Sequence, residues 1–105
     1  MYPIVYIGSL QASAEFHHWL SELRDTQVRI RVLHRLKRLA KGHAGDQRMI
    51  DHRIRELRMH FGPGHRIYFA MRKGVPLLLL GGDKWSQFRD IDFARRILDQ
   101  IEALP

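Results

Sequence analysis

The feature that most constrains the fold is a run of alternating residues on both sides of Gly62-Pro63-Gly64. Apolar side chains recur at every second position before and after this turn: Leu57, Met59, Phe61, Ile67, Phe69 and Met71. A period of two belongs to β-strands, whose successive side chains point to opposite faces. The pattern therefore predicts a β-hairpin, with strands over 54–61 and 65–71 joined by a three-residue turn.

The register of this hairpin follows from the same alternation. A slip of one residue would turn the apolar side chains to the wrong face, so paired positions must add up to an even number. A three-residue turn gives a sum of 126, which places Met59 opposite Ile67 and Leu57 opposite Phe69. The polar side chains then share the other face: Glu56, Arg58, His60, Arg66 and Tyr68.

Other segments extend the predicted sheet and cover it. Lys73-Gly74 predicts a two-residue turn into a strand over 75–81, whose four consecutive leucines indicate an interior strand. A short strand is expected over 1–7. Apolar residues at helical spacing predict a first helix around 16–23, and a second helix from Asp25-Thr26 to Lys41-Gly42. A polar loop is expected over 43–52.

A final helix is predicted to begin at Asp90 or Asp92, where the helical period returns. The order is then β-α-α-β-β-β-α. This predicts an α+β fold with an antiparallel-rich sheet, an N-terminal helical hairpin on one face and a C-terminal helix.

The length and charge limit the possible functions. We expect 105 residues to form a single domain spanning 1–105, which leaves little room for a nucleotide-cofactor site. The chain has no cysteine, which excludes disulfides and thiolate zinc sites. With no signal peptide and no long apolar run, a cytoplasmic protein without membrane contact is expected. The net charge of +7 favours a polyanionic partner, above all nucleic acid.

Part of this charge lies on the second predicted helix. No acidic residue occurs between Arg29 and Lys41, and the basic residues there include Arg31, Arg35 and Arg38. Such a stretch is either a solvated helix face or a surface that faces phosphates. The absence of glutamate favours contact with RNA slightly, because an ordinary solvated face carries both signs.

The polar face of the hairpin is the candidate site. It is either a solvent-exposed face without a role or a groove for phosphate chemistry that also uses Lys84, Trp85 and Gln87. RNA supplies its own nucleophile, the 2′-OH. A metal-free ribonuclease therefore needs a base, cations around the phosphate and a proton donor. No metal-ligand spacing or cofactor motif occurs, so neither a metal nor a cofactor is expected.

Each candidate residue has a role in this hypothesis. Glu56 or a histidine is a candidate base, and Lys84 or His60 a candidate acid. The forked donors of Arg58 and Arg66 suit a phosphate. The aromatic side chains of Tyr68 and Trp85 suit base stacking.

Two blocks of the sequence resemble a known family. They are 56–58 with 61–68, and 80–84 followed by Gln87, Asp90, Ile91 and Ala94. Together they resemble the RelE/HigB-type toxins of type II toxin–antitoxin modules, in the branch of addiction module killer proteins. The resemblance extends over nearly the whole chain, because 16–20 and 35–46 are similar to the helical hairpin of that branch.

The resemblance implies a RelE-like fold and, for many members, cleavage of mRNA on the translating ribosome. By position, it makes Arg58 and Arg66 the phosphate-stabilising arginines and places Lys84 in the catalytic segment. It also implies a small cognate antitoxin, often with a DNA-binding domain, and contacts with mRNA and ribosomal RNA. Leu77 and Leu79 would suit the antitoxin contact unless the last helix covers them.

Two alternatives stay open. The segment 84–88 lacks the tyrosine or histidine that many RelE relatives carry after the last strand. The superfamily also includes ParE-like proteins that inhibit DNA gyrase without nuclease activity. The chain is therefore either a ribonuclease toxin, a gyrase inhibitor or a non-catalytic nucleic-acid-binding relic.

Overall fold

A six-stranded mixed sheet runs through the computed structural model, which describes residues 4–103. The strands are β1 (Ile4–Ile7), β2 (Leu10–Ser13), β3 (Gln47–Met49), β4 (Arg55–Arg58), β5 (Arg66–Arg72) and β6 (Val75–Gly82). Their spatial order is β1-β2-β6-β5-β4-β3. The β2–β6 pair is parallel and the other pairs are antiparallel, so the predicted antiparallel-rich sheet is confirmed.

Three α-helices complete the fold: α1 (Ala14–Ser21), α2 (Thr26–Ala40) and α3 (Gln87–Glu102), the last preceded by a 3₁₀ turn over Lys84–Ser86. Ser13 caps α1 by accepting a hydrogen bond from the N–H of Phe16. Asp25 caps α2 in the same way, as predicted. Gly42, with φ of +86°, follows the end of α2 in the left-handed conformation that glycine adopts easily.

The helices cover both faces of the sheet. Apolar residues of α1 and α2 pack with one strand face, including Leu57, Ile67, Phe69 and Leu78. The apolar side of α3 packs on the opposite face, against Tyr68, Leu77 and Leu79 among others. The leucines of β6 are thus buried on both sides, and the prediction of an interior strand is confirmed.

The order of elements differs from the predicted one by two added strands. β2 occupies 10–13, before the predicted first helix, and β3 lies in the predicted polar loop. β2 pairs with β1 through a two-residue turn at Gly8-Ser9, which the sequence reading overlooked, and with β6, which follows it by more than 60 positions. β3 is exposed along its length, so it carries no apolar alternation. Positions 1–3 of the predicted first strand lie outside the described residues.

The hairpin register also differs, although its faces are correct. Paired positions add up to 124, so Leu57 lies opposite Ile67 and Arg58 opposite Arg66. The predicted sum of 126 assumed a three-residue turn. The connection is longer, because the N–H of Met59 donates to the carbonyl oxygen of His65 at 3.0 Å and leaves five residues between them. The sum stays even, so the side chains keep their faces.

The turn before β6 and the start of α3 can also be compared with the sequence prediction. Lys73 and Gly74 both have positive φ, of +54° and +80°, so the predicted two-residue turn before β6 is confirmed. α3 starts at Gln87 and not at Asp90 or Asp92. Within residues 4–103, no helix has the length and apolar character needed to cross a membrane.

Candidate functional site

Three of the predicted site residues meet at one end of the sheet. Arg58, the last residue of β4, is the cross-strand neighbour of Arg66, the first residue of β5. Arg66 in turn lies opposite Gly82, the last residue of β6. Lys84 follows two positions later, in the 3₁₀ turn. The fold therefore brings Arg58, Arg66 and Lys84 to one end of the neighbouring strands β4, β5 and β6, which we call the cationic edge. Cross-strand neighbours such as Arg58 and Arg66 have Cβ atoms about 5 Å apart.

Glu56 lies beneath this edge and is completely buried. Its Oε1 is 3.1 Å from Nε of Arg48, and its Oε2 accepts a hydrogen bond of 2.8 Å from Nε2 of Gln87. Nε of Arg66 lies 4.0 Å from the same Oε2. This carboxylate is occupied by protein groups and closed to solvent, so the predicted role as a base that touches substrate does not fit its surroundings. Its position suits it to orient Arg66.

Asp46 joins two other candidates. Its Oδ1 accepts a 2.9 Å hydrogen bond from Nη2 of Arg58, and its Oδ2 contacts Nε2 of His60. The contact with His60 first, and that with Arg58 second, hold the pKa of Asp46 below its ordinary value. The His60 side chain is 72% exposed, so its imidazole is oriented by a carboxylate and open to solvent. Sequence reasoning missed Asp46 because it lies in a loop, 12 positions before Arg58, where no apolar alternation indicates that it returns to β4.

Tyr68 does not lie on an open face. It is completely buried under α3, and burial, together with the nearby charge of Glu56, raises the pKa of its phenol. Its ring has no access to a base, so the predicted stacking role is not supported. The same helix covers Leu77 and Leu79, which are completely buried and not available to an antitoxin.

The segment after β6 is held in place by its own hydrogen bonds. Oδ1 of Asp83 accepts bonds from the N–H groups of Trp85 (2.8 Å) and Ser86 (3.1 Å). Nζ of Lys84 lies 5.0 Å from the centroid of the Trp85 ring, a cation–π contact. Both side chains are exposed, so they are free to contact a ligand. Sequence reasoning missed the neighbouring Phe88, which is also exposed.

The basic residues of α2 do not form one surface. The guanidinium of Arg35 turns inward and donates to three backbone carbonyl oxygens: Arg58 (3.0 Å), Ala44 (2.8 Å) and Asp46 (3.3 Å). Partial burial lowers the pKa of Arg35. Its contacts hold the loop that carries Asp46 against β4, so Arg35 has a structural role in place of the predicted RNA contact.

Arg31 and Arg38 remain exposed on α2. The Arg31 guanidinium lies 5.0 Å from the centroid of the Phe61 ring, in the loop between β4 and β5. Arg31 is therefore near the same end of the hairpin as His60. Among the described residues, no three acidic, histidine or cysteine side chains are arranged to hold a metal ion.

Comparison with known proteins gives one relevant relative. The chain is 34% identical over 93 residues to a protein of Haemophilus influenzae described as an uncharacterized protein, and the match covers 88% of this chain and 94% of that one. The chain belongs to the family of this Haemophilus protein. No family model and no solved structure matches the chain. The relative carries no described activity, so the geometry of the site is what supports a function.

Proposed function

We propose that this protein is the toxin of a toxin–antitoxin module of the RelE/HigB type, with a RelE-like fold. In this proposal it is a metal-independent endoribonuclease that cleaves mRNA on the ribosome in the cytoplasm and so inhibits translation. The observation that carries the proposal is the pairing of Arg58 with Arg66 beside Lys84. Three cations at one sheet edge suit a phosphate whose negative charge increases in the transition state.

The roles follow from exposure and partners. Arg66 is 15% exposed and forms an ion pair of 4.0 Å with buried Glu56, and its guanidinium has donors left for a phosphate oxygen. His60, oriented by Asp46, takes the proton of the 2′-OH, whose oxygen attacks the adjacent phosphorus. Lys84 donates a proton to the departing 5′-oxygen, and Arg58 binds a second phosphate oxygen. The products are a 2′,3′-cyclic phosphate end and a free 5′-hydroxyl end.

The net charge supports the proposed partners. A body of +7 is attracted to mRNA and ribosomal RNA. Exposed Arg31 adds a cation near His60, and exposed Arg38 adds one further along α2. The same charge suits an acidic antitoxin that covers the cations until the toxin is released. Since Leu77 and Leu79 are buried, this antitoxin binds through other surfaces.

The test is controlled expression of the protein, with growth followed and mRNA ends mapped. The expected result is growth arrest with new ends inside coding regions. Arg66→Ala should abolish both effects, whereas Arg72→Ala, at the other end of β5, should leave both unchanged. Message cleavage by a folded Arg66→Ala protein at the wild-type rate would contradict the site.

One observation favours a second function, inhibition of DNA gyrase by a ParE-like toxin. Glu56 is buried and occupied, so a nuclease depends on His60 for its base, whereas a gyrase inhibitor needs no base. Purified protein should then block supercoiling by gyrase while mRNA stays intact in expressing cells. A protein that binds RNA in a salt-dependent way without any growth effect would instead be a non-catalytic relic.

A further inference from the structure

Two aromatic side chains follow closely after Lys84, which together with Arg58 and Arg66 forms the cationic edge, and both are almost fully exposed. Trp85 is 81% exposed and Phe88 is 92% exposed, the highest values among the exposed large hydrophobic residues. They are three positions apart, the spacing that places side chains on the same side of a helical segment. We call Trp85 and Phe88 the aromatic pair.

The backbone that carries the aromatic pair is firmly held. Asp83 caps the 3₁₀ turn, and Ser86 Oγ is hydrogen-bonded to the carboxyl of Asp90. Between the two aromatic residues, Gln87 reaches down to Glu56 in the sheet at 2.8 Å. The backbone that carries the two rings is therefore fixed, which lowers the entropy cost of ordering the rings on a ligand.

Two exposed cations flank the aromatic pair. Lys84 and Arg89 are exposed, and the Lys84 ammonium lies over the Trp85 ring. Of the nearby acidic residues, Asp83 is the cap, Asp90 is buried, and exposed Asp92, one helical turn after Phe88, lies 3.7 Å from Arg96. Two exposed rings between two cations are the arrangement that single-stranded nucleic acids bind, with bases on the rings and phosphates on the cations.

We propose that the aromatic pair stacks on two unpaired bases of single-stranded RNA and guides the strand to Arg66. This inference rests on the proposed ribonuclease function, because that function makes Arg66 the point to which the strand is guided. Gln87 and Glu56 connect the aromatic pair to Arg66. It adds Phe88 as a base-contacting residue and names the substrate as unpaired RNA. Bases inside a duplex are stacked on each other and do not reach the rings.

Other occupants fit less well. A second copy of this chain would bring Lys84 and Arg89 near the same cations on its partner. A protein partner would not account for two exposed aromatic rings beside cations that suit phosphates. Binding to duplex RNA would use the cations alone, with no need for the aromatic pair.

The test is binding of the purified protein to a short fluorescein-labelled single-stranded RNA of mixed sequence and to its duplex. Trp85→Leu and Phe88→Leu should each weaken binding to the single strand by about tenfold or more. Duplex binding should change little, and Phe88→Tyr should restore the affinity. Tyr6→Leu, which removes an exposed aromatic ring from the opposite edge strand, is the matched control and should bind as wild type.

Tryptophan fluorescence gives a second measurement. The chain has two tryptophans, and stacking on a base should quench the exposed Trp85 on addition of the single strand. Trp85→Leu should lose that quenching. Unchanged affinity in both leucine variants, or equal losses for single strand and duplex, would overturn the proposal. So would variants that keep RNA affinity but no longer bind a co-expressed partner protein.

The binding test does not depend on cleavage. Binding of free RNA needs neither a ribosome nor catalysis. If messages stay intact on expression but the aromatic pair still governs single-strand affinity, the ribonuclease proposal fails and this inference stands. If messages are cut by Trp85→Leu and Phe88→Leu proteins that bind free RNA normally, the inference fails and the ribonuclease proposal stands.

Discussion

Nε2 of Gln87 lies 2.8 Å from Oε2 of Glu56, and this hydrogen bond ties the first residue of α3 to the middle of the sheet. Glu56 is completely buried, so its charge depends on Arg48, Arg66 and Gln87 for compensation. The carboxylate of Glu56 thus contributes both to the candidate site, through Arg66, and to the stability of the fold.

Replacing this carboxylate should therefore be costly. Glu56→Ala leaves Arg48 and Arg66 without their buried partner and should lower the free energy of unfolding by about 3–5 kcal/mol. Gln87→Ala removes one hydrogen bond to a charged group and should cost about 1.5–3 kcal/mol. Urea denaturation measures both. Glu22→Ala, at an exposed position after α1, is the control, and a Glu56→Ala protein as stable as this control would contradict the account.

The Trp19 ring lies so close to the backbone at position 81 that only glycine fits there without a shift. A Cβ at position 81 would lie 2.1 Å from Cδ2 of the indole, so Gly81→Ala forces the ring or the strand to move. A loss of about 1–3 kcal/mol is expected in thermal or urea unfolding. Trp19→Leu lowers stability on its own, but in its background Gly81→Ala should cost much less. Additive losses in the double variant would show that the two residues do not compete for space.

Tyr68 combines a large buried ring with a hydroxyl that has no hydrogen-bond partner among the described residues. Tyr68→Phe keeps the ring and removes the unpaired group, so stability should stay the same or rise by about 1 kcal/mol. Tyr68→Ala, which opens a cavity under α3, should cost about 3–5 kcal/mol. A Tyr68→Phe protein that loses as much as Tyr68→Ala would indicate a buried partner for the hydroxyl.

Asp51 links the turn before β4 to α3. Its carboxylate accepts bonds from the N–H groups of Arg53 and Ile54 and from Nε of Arg95. Burial alone would raise the pKa of Asp51, but these bonds lower it to about 2, from an ordinary value of 3.8. Because the folded pKa is the lower one, this stabilisation is complete above about pH 4 and is lost as the pH falls towards 2.

Asp51→Asn mimics the protonated carboxyl. It should cost about 1–2 kcal/mol at neutral pH, after screening by water, and almost nothing near pH 2. Unfolding free energies measured by urea across this pH range give the comparison. Asp92→Asn, at an exposed position of α3, is the control for the same change of carboxylate to amide at the surface. A constant difference between wild type and Asp51→Asn at all pH values would refute the linkage.

The two arginines Arg35 and Arg38 should separate stability from RNA binding. Arg35→Ala removes bonds to three backbone carbonyls and should cost about 2–3 kcal/mol in urea unfolding. Arg38→Ala, one helical turn later and exposed, should leave stability unchanged. It should reduce the salt dependence of RNA binding by about one ion. The reverse pattern would return Arg35 to the binding surface.

Local patterns reported much of this fold, and non-local contacts were what they missed. The alternation around Gly62-Pro63-Gly64 predicts the faces of β4 and β5, and cap residues such as Asp25 predict the helices. The pairing of β2 with β6 depends on residues 75–82, which follow much later, so no local pattern reports it. The local pairing of β2 with β1 does have a signal, the two-residue turn at Gly8-Ser9, and the sequence reading overlooked it. The register error arose because the loop uses five residues, which the alternation does not report.

The candidate site, like the fold, was predicted only in part. Arg58, Arg66 and Lys84 were grouped correctly from strand positions, since the ends of neighbouring strands meet at one edge. Glu56 and Tyr68 were placed on an open face, because the pattern alone does not show that α3 lies across it. Arg48, the partner of Glu56, lies in the exposed strand β3, and Asp46, the partner of Arg58, lies in the loop before it. Neither segment has an apolar period, so these partners were not found.

The parallel pairing of β2 with β6 also determines when the candidate site can assemble. Ser13 Oγ donates to the carbonyl oxygen of Leu79 at 2.6 Å, across 66 positions of sequence. During synthesis, β2, α1 and α2 leave the ribosome long before β6, which completes the sheet between β2 and β5. Such non-local contacts form late in folding. Arg58, Arg66 and Lys84 are therefore brought together only after residues 75–87 have been made, although the first two of them are synthesised earlier.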